Sequence, residues 1–90
     1  NALKYRIVVD PVTGTRIYRN AAGQLHRDDG PAVEYVYGHA EWWQHGLRHR
    51  VNGPAVVFSD GRKYWFLNGV QYTEVDFQAA IEHPGVQHAQ

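Results

Sequence analysis

Apolar and polar residues alternate in short runs along most of the chain, and a turn signal closes each run. In residues 3–9, Leu3, Tyr5, Ile7 and Val9 point one way and Lys4, Arg6 and Val8 the other. Period two with β-branched and aromatic side chains predicts a half-buried strand. Asp10, Pro11 and Gly14 supply a turn, residues 16–19 return as a second strand, and residues 20–23 turn again. The pattern then predicts a strand over residues 32–37, with Val33, Tyr35 and Tyr37 on one face, and a return over residues 40–44. His45-Gly46 turns the chain once more, residues 55–59 make the next strand, and residues 63–67 return after Asp60-Gly61. Asn68-Gly69 closes that hairpin, because both residues accept positive φ. On this register Glu34 and Glu41 face each other across one hairpin.

After Gly69 the period changes. Thr73 stands as an N-cap, and Glu74 and Asp76 fall in the first turn, where the helix dipole favours negative charge. Tyr72 and Phe77 occupy the two positions of a hydrophobic staple, and Phe77, Ala80 and Ile81 share one face. A helix is predicted over about residues 74–82, ended by His83-Pro84-Gly85 and covering the last open strand edge. The expected fold is mainly β: a meander of about six short antiparallel strands joined as hairpins, with a short C-terminal helix. One domain is expected over residues 3–85. Asn1-Ala2 reads as the remnant of a cleaved tag, and residues 86–90 as a frayed tail.

A phrase recurs inside this pattern. Gly-x-x-His-Arg-x-(Asp/Asn)-Gly-Pro-Ala starts at Gly23 and again 23 residues later at Gly46. Recurrence at fixed spacing marks an array of small units, here about residues 14–32, 33–55 and 56–72. Superposed at that spacing, Val33 meets Val56, Tyr35 meets Phe58, Trp42 meets Trp65 and Trp43 meets Phe66. Tyr18 joins the set only if the first unit holds one extra residue in its second turn. Each phrase reads as a structural joint between hairpins. Its members are His26, Arg27, Gly30 and Pro31 in one copy, and His49, Arg50, Gly53 and Pro54 in the other. Proline fixes φ and biases the residue before it towards extended geometry, and glycine reaches conformations closed to other residues. The His-Arg pairs are expected to hydrogen-bond turn carbonyls or carboxylates such as Asp28 and Asp29.

Composition narrows the function classes. Ninety residues make one small domain, and three Trp and six Tyr supply large apolar area for its core. With no Cys, neither disulfides nor thiolate zinc sites staple it. Nine basic and nine acidic residues balance to zero, against the basic excess that nucleic-acid binding normally needs, so no nucleic acid is expected as partner. The longest apolar runs are too short to cross a bilayer. No cofactor or metal is expected: His26 and His49 lie one unit apart, which is no compact tetrahedral site. His39, His45 and Arg62 lie near turns without a recognised ligand spacing.

The hairpins resemble membrane occupation and recognition nexus (MORN) repeats, whose unit also spans about 23 residues. Gly38, Trp42, Gly46 and His49 carry the likeness in one unit, and Gly61, Trp65 and Gly69 in the next. It covers roughly residues 14–70. The departure is His26-Arg27 and His49-Arg50, each leading to Gly-Pro-Ala, where MORN units commonly have His-Gly-x-Gly. The chain is similar to small repeat proteins of bacteria and phages. The resemblance implies an elongated, twisted sheet without enzymatic activity, serving as a scaffold, a dimerisation surface or a partner-binding surface.

A non-catalytic protein-binding module is therefore the expected function, with a protein partner and homodimerisation. Trp42, Trp43, Trp65 and Arg48 are the contact candidates, because Trp and Arg dominate interface hot spots. Consecutive Trp42 and Trp43 are expected on opposite faces of the sheet. Two other readings are weighed beside it: an immunity or antitoxin protein that neutralises a bacterial toxin, and a small enzyme or metal protein that uses His26 and His49.

Overall fold

The computed structural model describes residues 5–83. Nine strands and one helix follow in chain order among them: β1 (Arg6–Val9), β2 (Arg16–Arg19), β3 (Val33–Glu34), β4 (Ala40–Glu41), β5 (Trp43–Gln44), β6 (Leu47–Arg48), β7 (Val56–Val57), β8 (Lys63–Leu67), β9 (Val70–Tyr72) and α1 (Glu74–Glu82). Seven strands form one antiparallel sheet in the order β1-β2-β3-β4-β7-β8-β9, and β5-β6 form a separate ribbon. The mainly β hairpin meander with a C-terminal helix is thus present, with more and shorter strands than the sequence pattern predicts. The tag reading of Asn1-Ala2, the start of the first predicted strand at Leu3 and Lys4, and the tail at residues 86–90 lie outside the described residues.

Two of the extra strands, β5 and β6, come from Trp42, and the third is β9, paired with β8. The Trp42 N–H donates to the Ala55 carbonyl at 2.7 Å, on the side of the large sheet, while the Trp42 carbonyl accepts from the His49 N–H at 3.1 Å. The predicted single strand over residues 40–44 therefore divides: β4 pairs with β3 and β7, and β5 pairs with β6. The predicted strand over residues 32–37 is also shorter. Tyr35 N–H already donates to His39 O at 2.9 Å and Gly38 N–H to Tyr35 O at 3.0 Å, so the turn begins at Tyr35 and leaves Val36 and Tyr37 exposed.

The molecule is a thin slab, 46 × 35 × 19 Å, so few side chains are enclosed. The buried apolar set is Tyr18, Ala32, Val33, Ala55, Val56 and Phe77. Ala32 and Ala55, the last residues of the two phrases, are 0% exposed. Each donates its N–H across the sheet, to Glu41 O and Tyr64 O respectively. A larger side chain at either position would have to displace fully packed neighbours. β1 departs from its expected half-burial: Ile7, Val8 and Val9 are all more than half exposed, because β1 is the edge strand and no layer covers it.

The helix forms where its signals place it. Thr73 has extended geometry, and its Oγ1 accepts from the Asp76 N–H at 3.1 Å. Phe77 is 1% exposed as α1 packs on β8 and β9. Truncating a large ring in such a site costs about 3–5 kcal/mol. Phe77→Ala is expected to lose that amount in urea unfolding, while Val75→Ala, on the exposed side, stays within about 0.5 kcal/mol of wild type.

Candidate functional site: the groove between the repeated joints

Each phrase straps the turn of the hairpin that follows it. His26 Nδ1 accepts from the His45 N–H at 2.9 Å, and His49 Nδ1 accepts from the Asn68 N–H at 2.9 Å. Both acceptor bonds end on a turn residue at φ 51°, followed by a glycine, Gly46 at φ 81° and Gly69 at φ 84°. These are the left-handed pairs of tight hairpin turns, so the imidazole satisfies a turn amide that the ladder leaves over. The backbone does the same work beside it. Gly46 N–H donates to Leu25 O and Gly69 N–H to Arg48 O, while Arg27 N–H donates to Trp43 O and Arg50 N–H to Phe66 O. Every bond in one set has its counterpart 23 residues on.

The arginines lie flat on an aromatic ring from the preceding hairpin. The Arg27 Cζ is 4.0 Å from the Tyr18 ring centre, and the Arg50 Cζ is 3.8 Å from that of Trp42. Their Nη1 groups donate to Pro31 O at 3.3 Å and Pro54 O at 3.0 Å. This closes each phrase on itself and explains its glycine differently from the sequence reading. Neither Gly30 nor Gly53 has positive φ. A Cβ on Gly30 would instead lie 2.9 Å from Arg27 Cζ, and one on Gly53 3.3 Å from Arg50 Cζ. The missing Cβ leaves the guanidinium its place, from which a larger residue would shift it.

The two joints differ in charge. Because His26 Nδ1 is an acceptor, the neutral ring carries its proton on Nε2, which donates to Asp28 Oδ1 at 3.1 Å. Arg27 Nε meets Asp29 Oδ1 at 3.0 Å, and its Nη1 lies 3.6 Å from Glu34 Oε2. In the second joint Val51 and Asn52 occupy the places of Asp28 and Asp29. Among the described residues no ion pair engages Arg50. Between the joints runs a half-open groove of about 660 Å³, floored by Trp42 and Gln44, with Asp28 and Asp29 on one wall and His49 and Arg50 on the other. Burial lowers the pKa of both His49 and Arg50 from their ordinary values.

A second cluster lies on the other side of the strand. Glu41 and Trp43, two residues apart, share a side, and the Trp43 Nε1–H donates to Glu41 Oε1 at 2.9 Å. His39, 7% exposed, holds the other carboxylate oxygen at 2.9 Å. Arg48 Nη2 lies 3.9 Å from Glu41 and its guanidinium covers Trp43 and Phe66. The expected pairing of Glu34 with Glu41 does not occur, since Glu34 stands opposite Ala40 and Glu41 opposite Val33. A strand shortened at Tyr35 shifts the register.

The four contact candidates therefore separate. Trp42 floors the groove under Arg50, Trp43 and Arg48 meet around Glu41, and Trp65 lines a smaller depression of about 360 Å³ with Tyr72 and Thr73. His45 joins His26, ring centres 4.5 Å apart, while His39 stands apart from the joints. Glu41 and His39 were not singled out as a pair by sequence reasoning. The available signal was Glu41 itself, which falls where the next unit has Tyr64. No group of three or more potential metal-binding side chains occurs among the described residues. Searches against protein families, curated proteins and solved structures find no match, so the likeness to MORN repeats rests on the chain's own residues.

The His49 strap sets a pH dependence. Burial holds His49 below its ordinary 6.5, so below that pH the unfolded chain takes up protons that the folded chain resists, and stability rises with pH. Protonation also places hydrogen on Nδ1 and removes the acceptor for Asn68. The contribution is present in full above pH 6.5 and is lost as pH falls through the lower folded value. Thermal melts across this range are expected to show that slope. His49→Asn, which keeps an acceptor without a titrating proton, is expected to flatten it.

Proposed function

We propose that the protein is a non-catalytic binding module, a MORN-like variant, whose contact surface is the groove between the two joints. A partner protein inserts a carboxylate against Arg50. The observation that carries this reading is the asymmetry of two otherwise matched joints. Arg27 is neutralised within the chain by Asp29 and Glu34, whereas Arg50 is half-buried on Trp42 and its side chain has, among the described residues, only the Pro54 carbonyl as hydrogen-bond partner. A cation already desolvated and fixed on a ring loses little further freedom on binding, which favours charge-assisted recognition. Trp beside Arg is also the composition of interface hot spots. Asp28 and Asp29 on the facing wall select against a uniformly acidic partner and set the orientation of a mixed one. Trp65, in the next depression along, extends the track. Trp43 and Arg48 support it from behind through Glu41.

The experiment is a substitution that copies the first joint into the second. Asn52→Asp gives Arg50 the carboxylate that Arg27 has in Asp29. An exposed pair of this kind adds about 0–1 kcal/mol to stability, so the thermal midpoint is expected to hold or rise. Capture of the partner from the native host, followed by mass spectrometry, is expected to fall about tenfold. Undiminished capture by a folded Asn52→Asp protein would overturn the assignment of Arg50.

A further inference from the structure

β1 is an open edge of a seven-stranded sheet among the described residues. Its sequence, with the residue that follows, is Arg6-Ile7-Val8-Val9-Asp10. Natural edges are normally defended by a central charge, a proline or a bulge. Here the charges stand at the two ends, and the centre is Ile7, Val8 and Val9 at 56%, 54% and 52% exposed. The five residues are self-complementary when reversed: a copy running antiparallel, centred on Val8, sets Arg6 opposite Asp10, Ile7 opposite Val9, and Val8 opposite itself.

The backbone has the parity this register requires. Asp10 N–H donates inward to Thr15 O at 2.9 Å, and the hairpin register runs Val9↔Arg16, Val8↔Ile17 and Ile7↔Tyr18. Tyr18 N–H turns away from β1, to Ala32 O. In an antiparallel ladder alternate residues bond to alternate sides. Asp10, Val8 and Arg6 therefore bond inward, and Ile7 and Val9 present their N–H and C=O groups outward. Pairing centred on Val8 matches Ile7 with the other copy's Val9 as a hydrogen-bonded pair, and the reverse. Val8 with Val8, and Arg6 with Asp10, become the non-hydrogen-bonded pairs, in which side chains approach most closely. Even-numbered side chains share a face, so an Arg6–Asp10 pair flanks the central valines at each end. The Asp10 carboxylate is held at this end of the strand by its turn, Oδ1 accepting from the amides of Val12 and Thr13. These turn bonds hold the carboxyl below its ordinary pKa of 3.8, and so charged.

We infer that β1 is a self-association strand, joining two copies of the chain edge to edge in the antiparallel register centred on Val8. This surface is separate from the groove of Arg50, so the two readings stand or fall independently. The chain contains no Cys, which allows a direct test on these 90 residues. Sedimentation analysis is expected to give a dimer. Under mild oxidation Val8→Cys is expected to cross-link to itself. Ile7→Cys and Val9→Cys are expected not to cross-link alone but to do so when mixed. Arg6→Glu, which sets like charges opposite Asp10, is expected to weaken the dimer about tenfold while the far-ultraviolet circular dichroism of the folded chain stays unchanged. A monomer at all attainable concentrations would overturn the inference. So would a dimer in which Val8→Cys does not cross-link, or one in which Ile7→Cys or Val9→Cys cross-links to itself.

Discussion

The fold depends on an imidazole nitrogen accepting a turn amide from the next hairpin. His26 does this for His45, and His49 for Asn68, at the same 2.9 Å. A sheet in which four of the seven strands have only two or three residues has little ladder to hold it, and a thin slab encloses few apolar side chains. Register between successive hairpins must therefore be fixed locally. The strap does so at the least tolerant point, a tight turn with two consecutive residues in the left-handed region. The Arg that follows each His completes the joint by lying on the ring behind it and closing on the proline carbonyl. Gly and Ala in the phrase serve that packing, one by making room for the guanidinium and the other by vanishing into the core.

A joint built this way creates the groove as a by-product. Two copies of the phrase, one unit apart, stand as parallel ridges with Trp42 between them. What distinguishes the ridges is the pair of residues that follows each His-Arg step. Asp28 and Asp29 hold the charges of the first joint inside the chain. Val51 and Asn52 leave the cation of the second joint facing the groove. The functional reading thus rests on where the repeat departs from itself.

Much of this was legible from residue order. The turns at His45-Gly46 and Asn68-Gly69, the helix with its Thr73 cap, and the extra residue separating Tyr18 from Trp42 all follow from local chemistry that acts within a few positions. Pattern reasoning failed where a long-range bond decides. Trp42 divides its strand because its two backbone groups pair with different sheets. Val36 and Tyr37 are thrown out by a turn that starts at Tyr35. Gly30 and Gly53 read as backbone requirements, yet neither has positive φ, and each leaves room for the guanidinium three residues earlier. The Glu41 cluster was hidden because a carboxylate in an alternating strand reads as solvent-facing, and only the neighbouring His39 and Trp43 reveal that it is held.

The strap is tested most directly by the ring nitrogens of His26 and His49. Nitrogen-15 spectra of the neutral imidazoles report which nitrogen carries hydrogen. The geometry predicts that Nδ1 of both rings is unprotonated and coupled through hydrogen bonds to the amides of His45 and Asn68, with hydrogen on Nε2. Hydrogen on Nδ1 of either ring would contradict it, because that tautomer cannot accept the amide on which the joint depends.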